Sequence, residues 1–197
     1  FEDDMARIAD CDWIIEVVVE NLKIKQQLFA RIDKIRKPET IVSSNTSGIP
    51  LKQMSEGLSQ GFKENFLGTH FFNPVRYMHL LEIIPGELTK KDVLEFIAGY
   101  GEKMLGKGIV WAKDTPNFIG NRIGVHGIGK TMQVMLTDGL TIPEVDEIFG
   151  APLGRPKTAI FKTSDLVGLD TMSHVSQNTY DMCPGDEERA VFDMPAF

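Results

Sequence analysis

Apolar positions along the first 113 residues alternate between strand-like runs and helical stripes. Met5, Ile8 and Ala9 share one side of a short amphipathic helix over residues 3–10. Trp13-Ile14-Ile15-Glu16-Val17-Val18-Val19 is β-branched and nearly all apolar, the composition of a strand covered on both faces. From Leu22 to Lys37 the residues Ile24, Leu28, Ile32 and Ile35 fall at helical spacing. The interleaved Lys23, Lys25, Arg31, Lys34, Arg36 and Lys37 read as the solvated face of that helix. After a Pro38-Glu39 turn, Thr40–Ser44 is a second strand, and Pro50 opens a helix reaching about Leu58. Asn65–Phe72 is a third strand, stopped by Asn73-Pro74 because proline lacks an N–H and biases its predecessor out of helix. Two more strands follow near 80–84 and 108–112, flanking a helix that carries Val93, Ile97, Tyr100 and Met104 on one stripe.

The order β-α-β-α-β over the first three strands requires parallel pairing with right-handed crossovers. Asp114-Thr115-Pro116-Asn117 changes the character of the chain, and strand signals vanish beyond it. Phe118–Thr137 reads as one long helix despite Gly124, Gly127 and Gly129. Each glycine costs roughly 1 kcal/mol of helix propensity, so close packing against another element is expected there. A helix begins at Ile142-Pro143-Glu144 and ends at Gly150, and another runs from about Ser164 to Met182; residues 184–197 carry no regular pattern. The expected organisation is an α/β unit over 1–113 and an all-helical unit over 114–197.

Three polar clusters sit where the strands end: Glu20-Asn21, then Ser43-Ser44-Asn45-Thr46-Ser47-Gly48, then His70 with Asn73. Consecutive parallel strands bring their C-terminal ends side by side, so these clusters converge on one crevice, although turns after strands are often polar for conformational reasons alone. His70 by itself reads as a satisfied core histidine. Twelve residues later, however, Leu80-Leu81-Glu82-Ile83-Ile84 places a carboxylate inside an apolar strand, which is costly without a partner. The pairing of His70 with Glu82 is the arrangement a general base needs; Arg76 and Lys90 are the alternative partners of Glu82. Glu16, inside the first strand, also needs a partner if buried, and none stands out. His79 is expected to be exposed on the opposite strand face from Glu82, and His126 and His174 have no ligand-spaced neighbours, so no metal site is expected.

The chain has 197 residues, 42% hydrophobic and 25% charged, an ordinary globular composition with no low-complexity tract. A formal charge of −7 argues against non-specific binding of nucleic acid or anionic membranes, and no apolar run approaches the length of a membrane span. Cys11 and Cys183 lie far apart with no ligand spacing, which suits a reduced, cytoplasmic setting.

Five segments in order complete the picture: Val-Glu-Asn-Leu-Lys-Ile-Lys (19–25), Ser-Asn-Thr-Ser (44–47), Gly-Thr-His-Phe-Phe-Asn-Pro (68–74), Leu-Glu-Ile-Ile (81–84) and Asp-Thr-Pro-Asn-Phe-Ile-Gly-Asn-Arg (114–122). Together with Asp165–Asp170 they make the chain resemble the L-3-hydroxyacyl-CoA dehydrogenase family over almost its full length. The resemblance implies an NAD-dependent enzyme with a partial Rossmann-type parallel sheet followed by an all-helical C-terminal domain. It implies an acyl-CoA substrate, fatty-acid β-oxidation, and a homodimer or packing on a fused hydratase module. Carried over by position, His70 matches the catalytic base, Glu82 its carboxylate partner, Ser47 a serine near the substrate hydroxyl and nicotinamide, and Asn121 an asparagine that completes the site. Glu20, Lys25, Ser47 and Asn73 match positions touching the dinucleotide. These roles agree with the chemistry: oxidising a secondary alcohol needs hydride loss to nicotinamide and proton loss to a base, and imidazoles titrate near working pH. Without the family, Ser47 reads equally well as a cap, Asn121 as structural, and Lys25 as one of six basic residues on its helix.

One family feature is lacking. No G-x-G-x-x-G turn follows a strand here; Gly99-x-Gly101 and Gly106-x-Gly108 both lack the third glycine. The chain is therefore expected to be a fragment lacking the N-terminal βαβ unit that cradles pyrophosphate, and inactive alone. The alternatives are a same-fold dehydrogenase of a free hydroxy acid or sugar acid, and a non-catalytic dimerisation fragment.

Overall fold

In the computed structural model, which describes residues 2–194, the chain divides into two compact units, residues 1–118 and 119–197. The first unit holds a five-stranded sheet whose spatial order follows the sequence: β1 (Trp13–Glu16), β2 (Ile41–Ser44), β3 (Phe66–Phe71), β4 (Leu80–Pro85) and β5 (Gly108–Trp111). β1, β2 and β3 pair parallel, as their crossovers require. β4 runs antiparallel to β3, and β5 is again parallel to β4. The eight-residue link between β3 and β4 holds no helix, too short for a parallel crossover, so the chain must turn back beside itself.

Side-chain alternation sends successive residues to opposite faces of the sheet. Val42, Phe66 and Ile84 join Phe29 and Ile32 of α1 (Leu22–Ile35), Leu51 and Met54 of α2 (Leu51–Met54) and Phe62 of α3 (Gln60–Glu64) in one core. Ile41, Leu67, Leu81 and Ile83 pack with Val93 and Ile97 of α4 (Lys91–Lys103) in another, on the opposite face. Met5 and Ile8 of the 3-10 turn Glu2–Asp10 pack against the first core. Gly68 on β3 faces Ile84 so closely that a Cβ there would sit 2.9 Å from the isoleucine Cβ.

Several details depart from the expected pattern. β1 ends at Glu16, not Val19: the Val18 N–H bonds the Glu16 carboxylate at 2.6 Å instead of continuing the ladder, and Val17 and Val19 are exposed. In α1 the inward stripe is Lys25, Phe29 and Ile32, with Ile24 43% exposed, so the helix is rotated from the expected face. Lys25 is therefore buried, and Arg36 is also covered, lying over the Phe62 ring. The helix opened by Pro50 stops at Met54; Gly57, at φ +75°, reverses the chain and Ser59 caps α3 by accepting the Phe62 N–H.

The second unit is helical: α5 (Gly120–Asp138), α6 (Ile142–Ile148), α7 (Phe161–Val167) and α8 (Leu169–Met182), with 3-10 turns at Ala151–Leu153 and Arg189–Phe192. The expected single helix from Ser164 to Met182 is broken by Gly168 at φ +99°. Buried Asp146 caps α7 by accepting the N–H groups of Ile160, Phe161 and Lys162. The close packing expected at the α5 glycines holds at Gly129, whose missing Cβ would lie 2.3 Å from the Val191 carbonyl oxygen; Gly124 faces open space. Val191 and Phe192 are buried, and Arg122, His126 and Lys130, one turn apart on α5, bind Asp186 and Glu188. No helix among the described residues is long and apolar enough to cross a membrane.

Candidate active site

His70 and Glu82 are direct cross-strand partners in the antiparallel β3–β4 pair, which places both side chains on the same face of the sheet. His70 Nδ1 lies 2.6 Å from Glu82 Oε2, and both side chains are buried, at 4% and 0% exposure. The alternative partner Lys90 pairs instead with Glu64. An ionised Glu82 is acceptor-only, so the network assigns the His70 proton to Nδ1 and leaves a lone pair on Nε2. The rings of Phe72 and Phe118 flank the imidazole at 4.5 and 5.6 Å. His79 is exposed, outside β4.

Ser47 Oγ sits 3.2 Å from His70 Nε2, donating to the lone pair that the tautomer leaves free. The turn carrying it is held at several points. The Asn45 side chain accepts the Phe71 N–H at 2.9 Å, tying the turn to the end of β3. Glu20 Oε1 accepts the N–H groups of Ser47 (3.0 Å) and Gly48 (3.3 Å) and the Thr46 hydroxyl. Asp114 accepts the N–H groups of Leu51 and Lys52 and fixes the start of α2.

Behind this turn lies a buried charge cluster. Glu16, with Ser44 beside it in register on β2, receives the Ser44 hydroxyl at 2.5 Å and the Lys25 ammonium at 2.8 and 3.0 Å. Lys25 also reaches Glu20 Oε2 at 3.1 Å and the Val18 carbonyl at 3.3 Å. Glu16 thus finds the partner that the sequence did not suggest. Burial raises the Glu20 pKa, but the Thr46 hydroxyl, the Lys25 charge and the Ser47 N–H outweigh it and hold the carboxyl below its ordinary value.

Of the positions singled out in the sequence, the first unit thus brings together His70, Glu82, Ser47, Glu20 and Lys25. Asn73 lies exposed immediately after β3, and its bond to Pro74 is cis. Asn121 belongs to the second unit, half-buried in the first turn of α5. Among the described residues no group of His, Cys, Asp and Glu could hold a metal ion.

Comparison with known proteins decides what kind of molecule carries this arrangement. Residues 1–115 match the family model for the NAD binding domain of 3-hydroxyacyl-CoA dehydrogenase, and residues 118–194 match the model for its C-terminal domain. The chain belongs to the 3-hydroxyacyl-CoA dehydrogenase family. A probable 3-hydroxyacyl-CoA dehydrogenase of Bacillus subtilis is 57% identical over 196 residues, covering 100% of this chain and 25% of that protein. A putative fatty acid oxidation complex trifunctional enzyme of Rickettsia felis is 42% identical over 94% of this chain and 26% of its own length. The chain thus spans about a quarter of each of these relatives. In structure, (S)-3-hydroxybutyryl-CoA dehydrogenase PaaH1 from Ralstonia eutropha superimposes with a TM-score of 0.84 at 30% identity, over 94% of this chain and 64% of that one. The Rossmann-like first unit and the helical second unit are therefore those of the family.

Proposed function

We propose that the protein containing this chain is an NAD-dependent L-3-hydroxyacyl-CoA dehydrogenase in which His70 is the general base, serving fatty-acid β-oxidation. The observation that carries the reading is the hydrogen-bonded chain Glu82–His70–Ser47, its His70–Glu82 link buried, with His70 Nε2 presenting its lone pair towards the half-buried Ser47 hydroxyl. Ser47 orients the 3-hydroxyl of the substrate, and Nε2 takes its proton as the carbon–oxygen bond gains carbonyl character. Glu82 keeps the imidazole in the right tautomer and stabilises the imidazolium that forms, as the aspartate does in serine-protease triads. In the reverse direction the imidazolium returns the proton to the ketone oxygen.

The residues present fit the reacting end of a dinucleotide. The Glu20 side chain is 35% exposed beside Ser47, an acceptor suited to a ribose hydroxyl, and Asn73 is exposed at the end of β3. A nicotinamide held there would accept the hydride, which is the cofactor's chemistry rather than the protein's. The phenyl rings beside His70 pack against the imidazole. The helical unit is proposed to dimerise or to pack on a fused hydratase module, in keeping with the Rickettsia relative's trifunctional name.

The test is the full-length protein with NADH and acetoacetyl-CoA, followed by loss of NADH absorbance. Turnover with the acyl-CoA and none with free acetoacetate or a sugar acid is expected. Activity confined to the free acids would replace the acyl-CoA reading.

A further inference from the structure

The ends of the parallel strands β1, β2 and β3 meet at Asn45, the first residue after β2, and the inference drawn from it rests on the function proposed above. β2 ends at Ser44, opposite Gly68, whereas β3 runs on to Phe71. The Val42 N–H bonds the Asn65 carbonyl, so by the alternation of a strand the Phe71 N–H also points to the β2 side, where β2 has no further residue. Asn45 fills that place with its side chain: Oδ1 accepts the Phe71 N–H at 2.9 Å. Its own N–H donates to the Glu16 carbonyl, at the end of β1, at 2.8 Å. One residue is thus bonded to the ends of both neighbouring strands.

The side-chain bond closes a small ring through the proposed site. Asn45 lies two residues before Ser47, Phe71 directly follows His70, and Ser47 Oγ stands 3.2 Å from His70 Nε2. The ring runs from Asn45 through Thr46 to Ser47, across to His70, along to Phe71 and back through the Asn45 amide. Glu20, from the loop after β1, holds the Ser47 and Gly48 N–H groups but does not touch β3; the Asn45 bond spans that side. We propose that Asn45 is a positioning residue: its side chain stands in for the ladder bond that β2 no longer makes, and so fixes the Ser47 hydroxyl at hydrogen-bonding distance from His70 Nε2. A misplacement of about 1 Å in an active site can cost about 10²-fold in rate, so a brace of this kind has a measurable effect. An amide supplies the acceptor without adding a charge to a turn that the Glu20 carboxylate already binds.

A double-mutant cycle in the full-length enzyme tests this, with Asn45→Ala, Ser47→Ala and their combination. With acetoacetyl-CoA and NADH, Asn45→Ala is expected to lose about tenfold or more in kcat while KM for NADH stays within about threefold. In the Ser47→Ala background the same change is expected to cost less than about threefold, because both act on one hydroxyl. Losses in kcat that multiply would mean that Asn45 does not act through Ser47. A rise in KM for NADH with kcat retained would make it a cofactor-binding residue. Either result overturns the proposal, as does an unchanged kcat. If Asn45→Ala does not fold, Asn45→Ser takes its place: its hydroxyl keeps the position polar but stops one bond short of the Phe71 N–H, and the same outcomes apply. The His70 Nε2 nitrogen resonance in the free protein gives a readout independent of turnover. Asn45→Ala is expected to shift it towards its Ser47→Ala position, and an unmoved resonance would refute the proposal. Should the wild-type enzyme not reduce acetoacetyl-CoA, the functional reading fails on its own, and this resonance alone judges the positioning claim.

Discussion

Replacing Glu82 by glutamine preserves its shape but removes the charge that fixes the His70 tautomer, since the amide can donate to Nδ1 and turn the protonated nitrogen towards the substrate. The expected result is a fall in kcat of about 10²-fold or more with the fold intact, read from steady-state kinetics beside a near-ultraviolet circular dichroism spectrum. Kcat within threefold of the wild type would show that the carboxylate is structural. Glu20 makes a second residue-scale prediction, through pH. Its pKa is lowered from 4.5 on folding, so the folded form binds its proton less readily than the unfolded chain. It therefore adds stability above that unfolded value and loses it as pH falls through its lower folded value. In Glu20→Gln the acid side of the stability–pH curve, below about pH 4.5, is expected to be shallower than in the wild type, measured by urea unfolding. An identical slope would exclude the Thr46–Lys25 environment as its cause. The histidine and its carboxylate were legible in sequence because an apolar strand advertises any charge within it. The Glu16–Lys25 pair was not: its two members lie on different elements, and the lysine was one of six basic residues interleaved with apolar ones.

At the scale of elements, the Gly129 contact is the most exposed to test. An alanine there would drive a methyl into the Val191 carbonyl, and forced overpacking costs typically 1–3 kcal/mol. Gly124→Ala, on the open side of the same helix, is expected to stabilise slightly through helix propensity. Thermal unfolding of the two variants should move in opposite directions; equal shifts would mean that the 3-10 turn at Arg189–Phe192 is not seated on α5. The helical and strand segments themselves followed from periodicity. Their facing and endings depended on what periodicity does not carry. Leu22, Lys25, Phe29 and Ile32 form the inward stripe of α1, recurring at intervals of three and four just as Ile24, Leu28, Ile32 and Ile35 do, and only the lysine's burial separates the two. The antiparallel direction of β4 is carried by the short link before it, which leaves no room for a parallel crossover, and not by the strand's own residues. The ordered segment after α8 was hidden because its anchors, Arg122, His126 and Lys130, lie some sixty residues away.

For the molecule as a whole, the chain contains the elements that hold the proposed base and its neighbours, but among the described residues no glycine-rich turn lies between a strand and a helix. Residues 1–197 alone are accordingly expected to bind NADH no tighter than about millimolar by fluorescence titration; micromolar affinity would show that Glu20, Ser47 and Asn73 suffice as a cofactor site. The family is secured by matches over both units, while the proposed chemistry rests on one hydrogen-bonded line of residues, Glu82–His70–Ser47. The most direct test of that line is kcat for acetoacetyl-CoA reduction by full-length protein carrying His70→Ala. Positioned general bases contribute about 10²–10⁴-fold, so a loss of that size is predicted when kcat is measured well below the variant's own melting temperature, which falls because Glu82 loses its buried partner. A variant that keeps kcat within a few-fold of the wild type would contradict the assignment of His70 as the base.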